Sequence, residues 1–548
     1  MRLSAAERTE SPEAAYLAAS DPGHRRRFAQ FFTPFPVADL MARWVLAGGE
    51  TRRLLDPALG LGVFARAVAG RSLRPTQVVG YELDPALAAR AEAVLADLPG
   101  GVSAEVRRGD FLASPWEERY DGILCNPPWS RFQDYVSRAA RIREVEVGTG
   151  VRLQGQSNLH SLFLLKALSQ LAPGGRAAFV VPSEFLNAGY GSAVKARLLE
   201  GGALRHAVVF DSRARLFPGA VTTACVLLLE APGGREGADA DAVVAFHRAG
   251  PEEDLEALWR DRIATPGGGP GTRREPAEAI DPGAKWRGYW DDTFPEGYGG
   301  KMVLGDWARV ARGIATGCNA FFVLGEPERL AAGLPENCLL PCVARARDAE
   351  GPVFRPEDLT ALRSAGRPAW LLDAEGKDHP GIKAYLERGI RDGAHLRFLT
   401  SRRSPWYALE ERPPAPLWVS VFSRGGDVRP VLNLAGARNL TAFHAVYPAG
   451  PAATAAGLSQ ENVSLLLFAW LLTPRARSLA RAQAREYGSG LEKLEPKDLA
   501  AVPVPDFARL GKAAVGRILA LVAALAEGRV TEDACAAGAG EAFRGAMT

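Results

Sequence analysis

From about Phe28 to Glu230 the chain alternates apolar runs of strand length with longer amphipathic segments. The runs read "RRLLD", "QVVGYEL", "AEVRRGDF", "DGILCN", "RAAFVVP", "HAVVFD" and "ACVLLLE". Parallel strands need crossovers of helix length, so this alternation predicts βαβ units and a mainly parallel sheet covered on both faces. The pattern then stops. Residues 231–300 are rich in Gly, Pro and charge, with "TPGGGPGTRREP" as the least structured stretch, and later strand-like runs ("NAFFVL", "APLWVSVF", "FHAVYP") are less regular. With 548 residues the chain exceeds what one core supports. The expected division is a polar N-terminal segment (1–25), an α/β domain (26–235), a connecting region (236–300), a second, mixed domain (301–506) and a C-terminal helix and tail (507–548).

Composition removes several classes. No run of about 18 uncharged apolar residues occurs and the first twenty residues lack the features of a signal peptide, so no membrane association and a cytoplasmic location are expected. Six scattered cysteines make no disulfide framework, and Cys338 with Cys342 lacks a nearby Cys or His pair, so no metal site is expected. The net charge of +3 conceals an asymmetry. Residues 381–490 hold 14 Lys plus Arg against 7 Asp plus Glu, with eleven aromatic residues interleaved. Such a segment suits a polyanion with stackable bases, or equally a solvated basic face over an aromatic core.

Three strand ends in the first domain carry chemistry. In "LLDPALGLGVF" a strand ends at Asp56, and Gly60 and Gly62 open a turn into a helix, where backbone can approach a ligand at the carboxyl end of a strand. "VVGYELDP" ends the next strand at Glu82, where a carboxylate can accept from both ribose hydroxyls. "RRGDFL" places Asp110 to accept from an adenine amino group and Phe111 to pack on the base. Each also has a bland counterpart, a Gly-rich turn, a surface Glu, or an Asp turn with a core Phe. Together they point to an adenosine-containing cofactor; "GLG" is too short for a dinucleotide fingerprint and no phosphate-binding GxxxxGK[ST] occurs.

The fourth strand runs into "DGILCNPPWSRF". An exocyclic amine such as adenine N6 is a poor nucleophile, because its lone pair is delocalised into the ring. If the Asn126 side-chain oxygen and the Pro127 carbonyl each accept one N–H, the nitrogen moves towards tetrahedral and its lone pair is freed. Pro127 and Pro128 fix the backbone that holds those acceptors, and Trp129 offers a stacking surface.

These motifs resemble the amino-directed, S-adenosylmethionine-dependent DNA methyltransferases, specifically the adenine-N6 enzymes of the gamma arrangement. "QFFTPFPVADLM" (30–41) is similar to their N-terminal motif, "DPALGLGVF" to DPACGSGxF and "NPPW" to [DNS]PP[YFW], in gamma order. The resemblance implies a class I, Rossmann-like fold with a seven-stranded mainly parallel sheet. It implies S-adenosylmethionine held by Thr33, Pro34, Asp56, Ala58, Gly60, Gly62, Glu82, Asp110 and Phe111. Residues 304–324, 402–410 and 485–505 resemble a TaqI-like specificity domain, which implies a mixed α+β DNA-recognition domain gripping duplex DNA, with contacts from Arg402, Arg403, Trp406, Arg485 and Tyr487. Leu59 and Leu61 replace the usual Cys and Ser, and Trp129 the commoner Tyr or Phe. No aromatic lies within the strand of "FPGAVTTACVLLLE" (217–230), so a second stacking partner for the base stays open.

The implied reaction is transfer of a methyl group to N6 of an adenine rotated out of duplex DNA. Its implied setting is a restriction-modification or phage-defence system, with either a separate restriction endonuclease or the subunits of a larger defence system as partner. Two rivals remain at this stage. NPP[YFW] also serves RNA-base and protein-glutamine methyltransferases, and a DNA-recognition subunit with a silent catalytic domain would carry the same C-terminal half.

Overall fold

In a computed structural model the described residues are 11–21, 23–24, 30–49, 51–129, 138–153, 158–211, 214, 217, 223–233, 242–290, 302–424, 428–487 and 491–546. The chain divides into two compact units, 1–292 with 486–490, and 293–485 with 491–548.

The first unit begins with α1 (Pro12–Ala19) and α2 (Phe35–Leu46), followed by β1 (Arg53–Asp56), α3 (Val63–Ala69), β2 (Thr76–Glu82), α4 (Pro85–Val94), β3 (Val102–Arg108) and β4 (Tyr120–Cys125). After α5 (Arg138–Thr149) and α6 (Leu159–Ser169) come β5 (Leu171–Pro182), α7 (Ser192–Leu199), β6 (Leu204–Phe210), β7 (Ala224–Glu230), β8 (Val243–Ala249) and β9 (Thr272–Pro276). Among the described residues these strands form one sheet in the order β3-β2-β1-β4-β5-β7-β6-β8-β9. The first five are parallel, and β7 enters antiparallel between β5 and β6. Seven strands were expected, and the described residues form nine. Residues expected in the connecting region supply β8, parallel to β6, and β9, antiparallel to β8. The "TRREP" part of the stretch read as least structured is that edge strand, whose exposed arginines hide a strand pattern from hydropathy.

The short strands form because nearly every residue is apolar and covered on both sides, as parallel sheets require; Leu54, Leu55, Ile123, Leu124, Val78 and Val79 are all buried. One face packs on α2 and α3, the other on α6, whose Leu162, Leu164 and Leu165 lose all exposure.

In the second unit one sheet runs in the order Ala308–Arg312, Phe443–Pro448, Leu417–Ser420, Pro430–Asn433, Val353–Phe354. A smaller one runs Val323–Leu324, Trp370–Leu372, Leu339–Val343, Arg438–Asn439. Its longer helices are α8 (Pro380–Arg391), α9 (Gln460–Leu472), α10 (Pro474–Gln483), α11 (Lys512–Ala526) and α12 (Glu532–Phe543). α9 is apolar all round and buried in a core with α11 and α12. No helix among the described residues is long and apolar enough to cross a membrane, and none of their His, Cys, Asp and Glu groups is placed to hold a metal ion.

Candidate active site

Sheet register brings the motif residues together. Leu54 pairs with Gly122, Asp56 with Gly80, and Glu82 with Arg108. Continued past the strand ends, these registers put Ala58, Glu82 and Asn126 on one line, two residues beyond the Asp56–Gly80 pair and four beyond Leu54–Gly122, with Asp110 just past the end of β3. The carboxyl edge of the parallel strands thus collects the four polar motif residues Asp56, Glu82, Asp110 and Asn126, at the edge where open α/β sheets bind ligands.

Asp56 ends β1 fully buried. Its Oδ1 accepts from the Ala58 N–H at 3.2 Å, while Oδ2 has no hydrogen-bond partner among the described residues. Burial, with Glu82 nearby, pushes its carboxyl up to about 8 despite the bond from Ala58. Glu82 accepts from the Gly60 N–H at 3.0 Å through Oε2 and from the Asp84 N–H at 2.8 Å through Oε1, so the ribose-type carboxylate is tied to the glycine loop. Burial raises it to about 7. Gly60 and Gly62 both lie in the left-handed region (φ 55° and 74°), which other residues enter at a cost. The substituted leucines turn inward: Leu59 covers Gly80, and Leu61 packs with Tyr16 and Leu87. Their bulk is therefore absorbed by the core.

The N-terminal motif is fastened to this edge. Gln30 donates to Asp84 Oδ2 at 2.9 Å and accepts from the Tyr16 hydroxyl at 3.0 Å. Thr33 is buried, and the Pro34 carbonyl accepts the first helical N–H groups of α2. Between them, the Phe31 carbonyl accepts from Asn126 Nδ2 at 2.7 Å. This bond fixes which way the Asn126 amide faces. Its Oδ1 is buried and has no hydrogen-bond partner among the described residues. Leaving a buried amide oxygen unmet costs about 1–3 kcal/mol, which a ligand donor would recover.

Pro127 is buried and Pro128 half-buried. Trp129 is half-buried against two rings, with Phe31 stacked at 5.8 Å between centroids and Phe217 tilted at 4.5 Å. Neither ring was singled out from the sequence. Phe217 precedes the β7 strand rather than lying in it, and its contact spans 88 positions with no local signal.

The third strand end differs from expectation. Asp110 accepts from the Leu112 N–H at 2.9 Å and lies 3.7 Å from Arg141. Phe111, expected on the base, is instead a core side chain between Tyr81 and Phe163, with centroids at 5.5 and 5.4 Å. The turn that Asp110 caps swings the ring inward, where two aromatic neighbours give it more burial than an edge position would. Sequence reading also missed Lys166, a wholly buried cation on α6. It donates to the carbonyls of Phe111 (2.9 Å), Leu112 (3.2 Å) and Ser114 (2.6 Å) and so holds the turn behind Asp110. Burial lowers its ammonium to about 8. The lone Lys in "LFLLKALS" was the available signal.

The expected DNA contacts in the second unit separate. Arg402 is exposed, its guanidinium 3.6 Å over the Phe398 ring. Arg403 is spent internally on the carbonyls of Ala315 (2.6 Å) and Thr316 (2.9 Å). Trp406 packs among Phe321, Phe322, His395 and Tyr407. Arg485 lies 3.3 Å from Asp498, and the Tyr487 side chain lies outside the described residues.

The N-6 DNA Methylase family model matches residues 19–251, and the model of the type II methyltransferase M.Eco57I C-terminal domain matches residues 299–537. The type II methyltransferase M.AccI of Acinetobacter calcoaceticus is 34% identical over 91% of this chain and 89% of its own length. The type II methyltransferase M.XamI of Xanthomonas campestris pv. amaranthicola is 27% identical over 89% and 88%. A cryoEM structure of the DrdV-DNA complex aligns with a TM-score of 0.52 at 14% identity, covering 93% of this chain and 59% of that one, a likeness of fold. The chain belongs to the N6-adenine DNA methyltransferases, with a class I methyltransferase fold in its first unit.

Proposed function

We propose that the chain takes its methyl group from S-adenosylmethionine and transfers it to N6 of an adenine extruded from duplex DNA, with Asn126, Pro127 and Trp129 as the residues that meet the base. The observation that carries this reading is the Asn126 amide, pinned through Nδ2 by the Phe31 carbonyl, with a buried Oδ1 that has no hydrogen-bond partner among the described residues. An acceptor held in this way is pre-organised for an N–H donor, and the target amine brings two. Asn126 Oδ1 takes one and the Pro127 carbonyl the other, so N6 is held with its lone pair free of the ring. Trp129 stacks on the extruded base, and Phe217 and Phe31 buttress it with a continuous ring surface.

The carboxyl edge fits the donor. Its buried Asp56 Oδ2 has no hydrogen-bond partner among the described residues and suits a cationic ligand, and the left-handed glycines of the loop let backbone approach closely. Asp56, Ala58, Gly60, Gly62, Thr33 and Pro34 would hold the cofactor, with Glu82 at the ribose and Asp110 at the adenine. S-adenosylmethionine supplies an electrophilic methyl group when bound.

Transfer of tritium from labelled S-adenosylmethionine to duplex DNA, set beside RNA and protein acceptors, tests the reading. Label is expected in duplex DNA, as N6-methyladenine. Label in RNA or protein alone, or no transfer with intact cofactor binding, would sink it.

A further inference from the structure

Large apolar side chains exposed to solvent are concentrated in one place. Among the described residues four of the twelve, Ile390, Leu396, Phe398 and Leu399, lie within ten positions of one another. Leu396 is 71% and Phe398 67% exposed. Isolated surface leucines need no explanation, but a cluster of this kind marks a binding surface. The same stretch is strongly basic: residues 388–403 hold five arginines against one aspartate, a local charge of +4.

The segment is built to keep these side chains out. α8 ends at Arg391, and Gly393 (φ 73°) turns the chain into two short 3-10 turns, Ala394–Leu396 and Thr400–Arg402. Thr400 is buried and its hydroxyl donates to the carbonyls of Ala394 (2.6 Å) and Arg397 (3.1 Å), closing the loop on itself. Arg403 ties its base to Ala315 and Thr316, and Leu399 lies over Gly317. Arg397 and Arg402 are exposed, neither has an ion-pair partner among the described residues, and Arg402 braces the Phe398 ring from one side. The arginine assignments expected from sequence thus resolve into one that anchors the tip and one that flanks it.

We infer that the 394–402 tip inserts Phe398 and Leu396 into the base stack of duplex DNA, with Arg397 and Arg402 on the flanking phosphates. This inference rests on the DNA reading proposed above and adds the residues that open the duplex. The surrounding positive charge selects a polyanion over an apolar protein groove, and a duplex is the polyanion that also offers an apolar interior. Apolar wedges between base steps, set among arginines, offset the few kcal/mol of unstacking that base extrusion costs.

The test uses the full chain and a short duplex carrying the adenine found methylated in DNA from expressing cells. kcat/KM is compared for the parent and the Leu396→Ala/Phe398→Ala variant, once with that adenine paired to thymine and once with it mispaired, so already unstacked. Both residues lie outside the core, and an unchanged melting temperature confirms folding. A loss of about tenfold or more is expected on the paired duplex and less than about threefold on the mispaired one, since part of the opening cost is then already met. Equal losses on both duplexes, or parental rates on both, would overturn the wedge. A parent chain that methylates neither duplex would sink the underlying reading itself.

Discussion

The carboxyl edge of the first unit and the 394–402 tip of the second advertise ligands in opposite ways. At the edge the unmet groups are polar and buried: Asn126 Oδ1 and Asp56 Oδ2 have no hydrogen-bond partner among the described residues. At the tip Arg403 is tied to carbonyls and Arg397 and Arg402 are in water, with His395 Nδ1 the one buried side-chain atom of the tip lacking a hydrogen-bond partner among the described residues, while the apolar Leu396 and Phe398 are exposed. The first kind of need is met by a small ligand or a single base with donors in fixed places. The second is met by a surface that hides hydrocarbon. A site can therefore be read from whichever type of atom the fold has left without its preferred surroundings.

The sharpest way to break this contrast is to remove the buried acceptor. Asn126→Ala deletes Oδ1 and the bond to Phe31 while leaving the cofactor edge in place. A loss of about 10²–10³-fold or more in kcat is expected, as for other preorganised polar groups at a reacting centre. Cofactor affinity, read by calorimetry, should stay within about threefold. Turnover near the parent's would show that the orphaned oxygen has no part in the reaction.

How legible each region was follows from the same contrast. The edge was readable because its chemistry sits at strand ends, where one residue type at one spacing has few substitutes: Asp56, Glu82 and Asn126 all fall where the alternation placed them. Phe111 was misassigned because the direction of its ring depends on Tyr81 and Phe163, residues distant in sequence, and not on the Asp-Phe pair. Phe217 and the Phe31 carbonyl act across long sequence separations and leave no pattern. β9 was missed because an edge strand carrying Arg273, Arg274 and Glu275 does not look apolar. In the second unit Arg402, Arg403 and Arg485 were expected at DNA from the resemblance of residues 402–410 and 485–505 to a TaqI-like specificity domain. A motif does not say what each guanidinium meets: Arg403 donates to the Ala315 and Thr316 carbonyls and Arg485 lies 3.3 Å from Asp498, since a guanidinium serves carbonyls and carboxylates as readily as phosphates.

Lys166 tests whether the edge extends behind Asp110. Lys166→Met keeps the length of the side chain but leaves three carbonyls without their donor. The expected result is a KM for S-adenosylmethionine about tenfold higher with kcat changed less than about threefold, because the turn carrying Asp110 loosens while Asn126 is untouched. Stability should fall by about 1–3 kcal/mol. A fall in stability with an unchanged KM would assign Lys166 to the core alone.

The two neighbouring arginines sharpen the other side of the comparison. Arg402→Ala is expected to leave the melting temperature unchanged and to reduce the salt dependence of DNA binding by about one phosphate contact. Arg403→Ala is expected to lower the melting temperature by a few degrees through the freed Ala315 and Thr316 carbonyls. Its effect on the salt slope should be smaller than that of Arg402→Ala. The reverse pattern would mean that exposure does not identify the phosphate contact.

The smallest expected effect is on pH dependence, and it belongs to the edge alone. Asp56 and Glu82 keep their protons up to about 8 and about 7 in the folded protein, burial being the main cause for both. Unfolded carboxyls lose theirs near 4. Across that window the folded chain binds more protons than the unfolded one, so the ligand-free protein loses stability as pH rises, the reverse of a salt-bridged carboxylate. These two carboxyls should lower the melting temperature progressively between about pH 4 and about pH 8, and Asp56→Asn should flatten the part above about pH 7, where of the two only Asp56 still titrates. Added S-adenosylmethionine should flatten it too, since its sulfonium meets the charge that Asp56 acquires. A slope that Asp56→Asn does not alter would place the destabilising carboxylate elsewhere and remove the argument that the orphaned Asp56 oxygen awaits a cation.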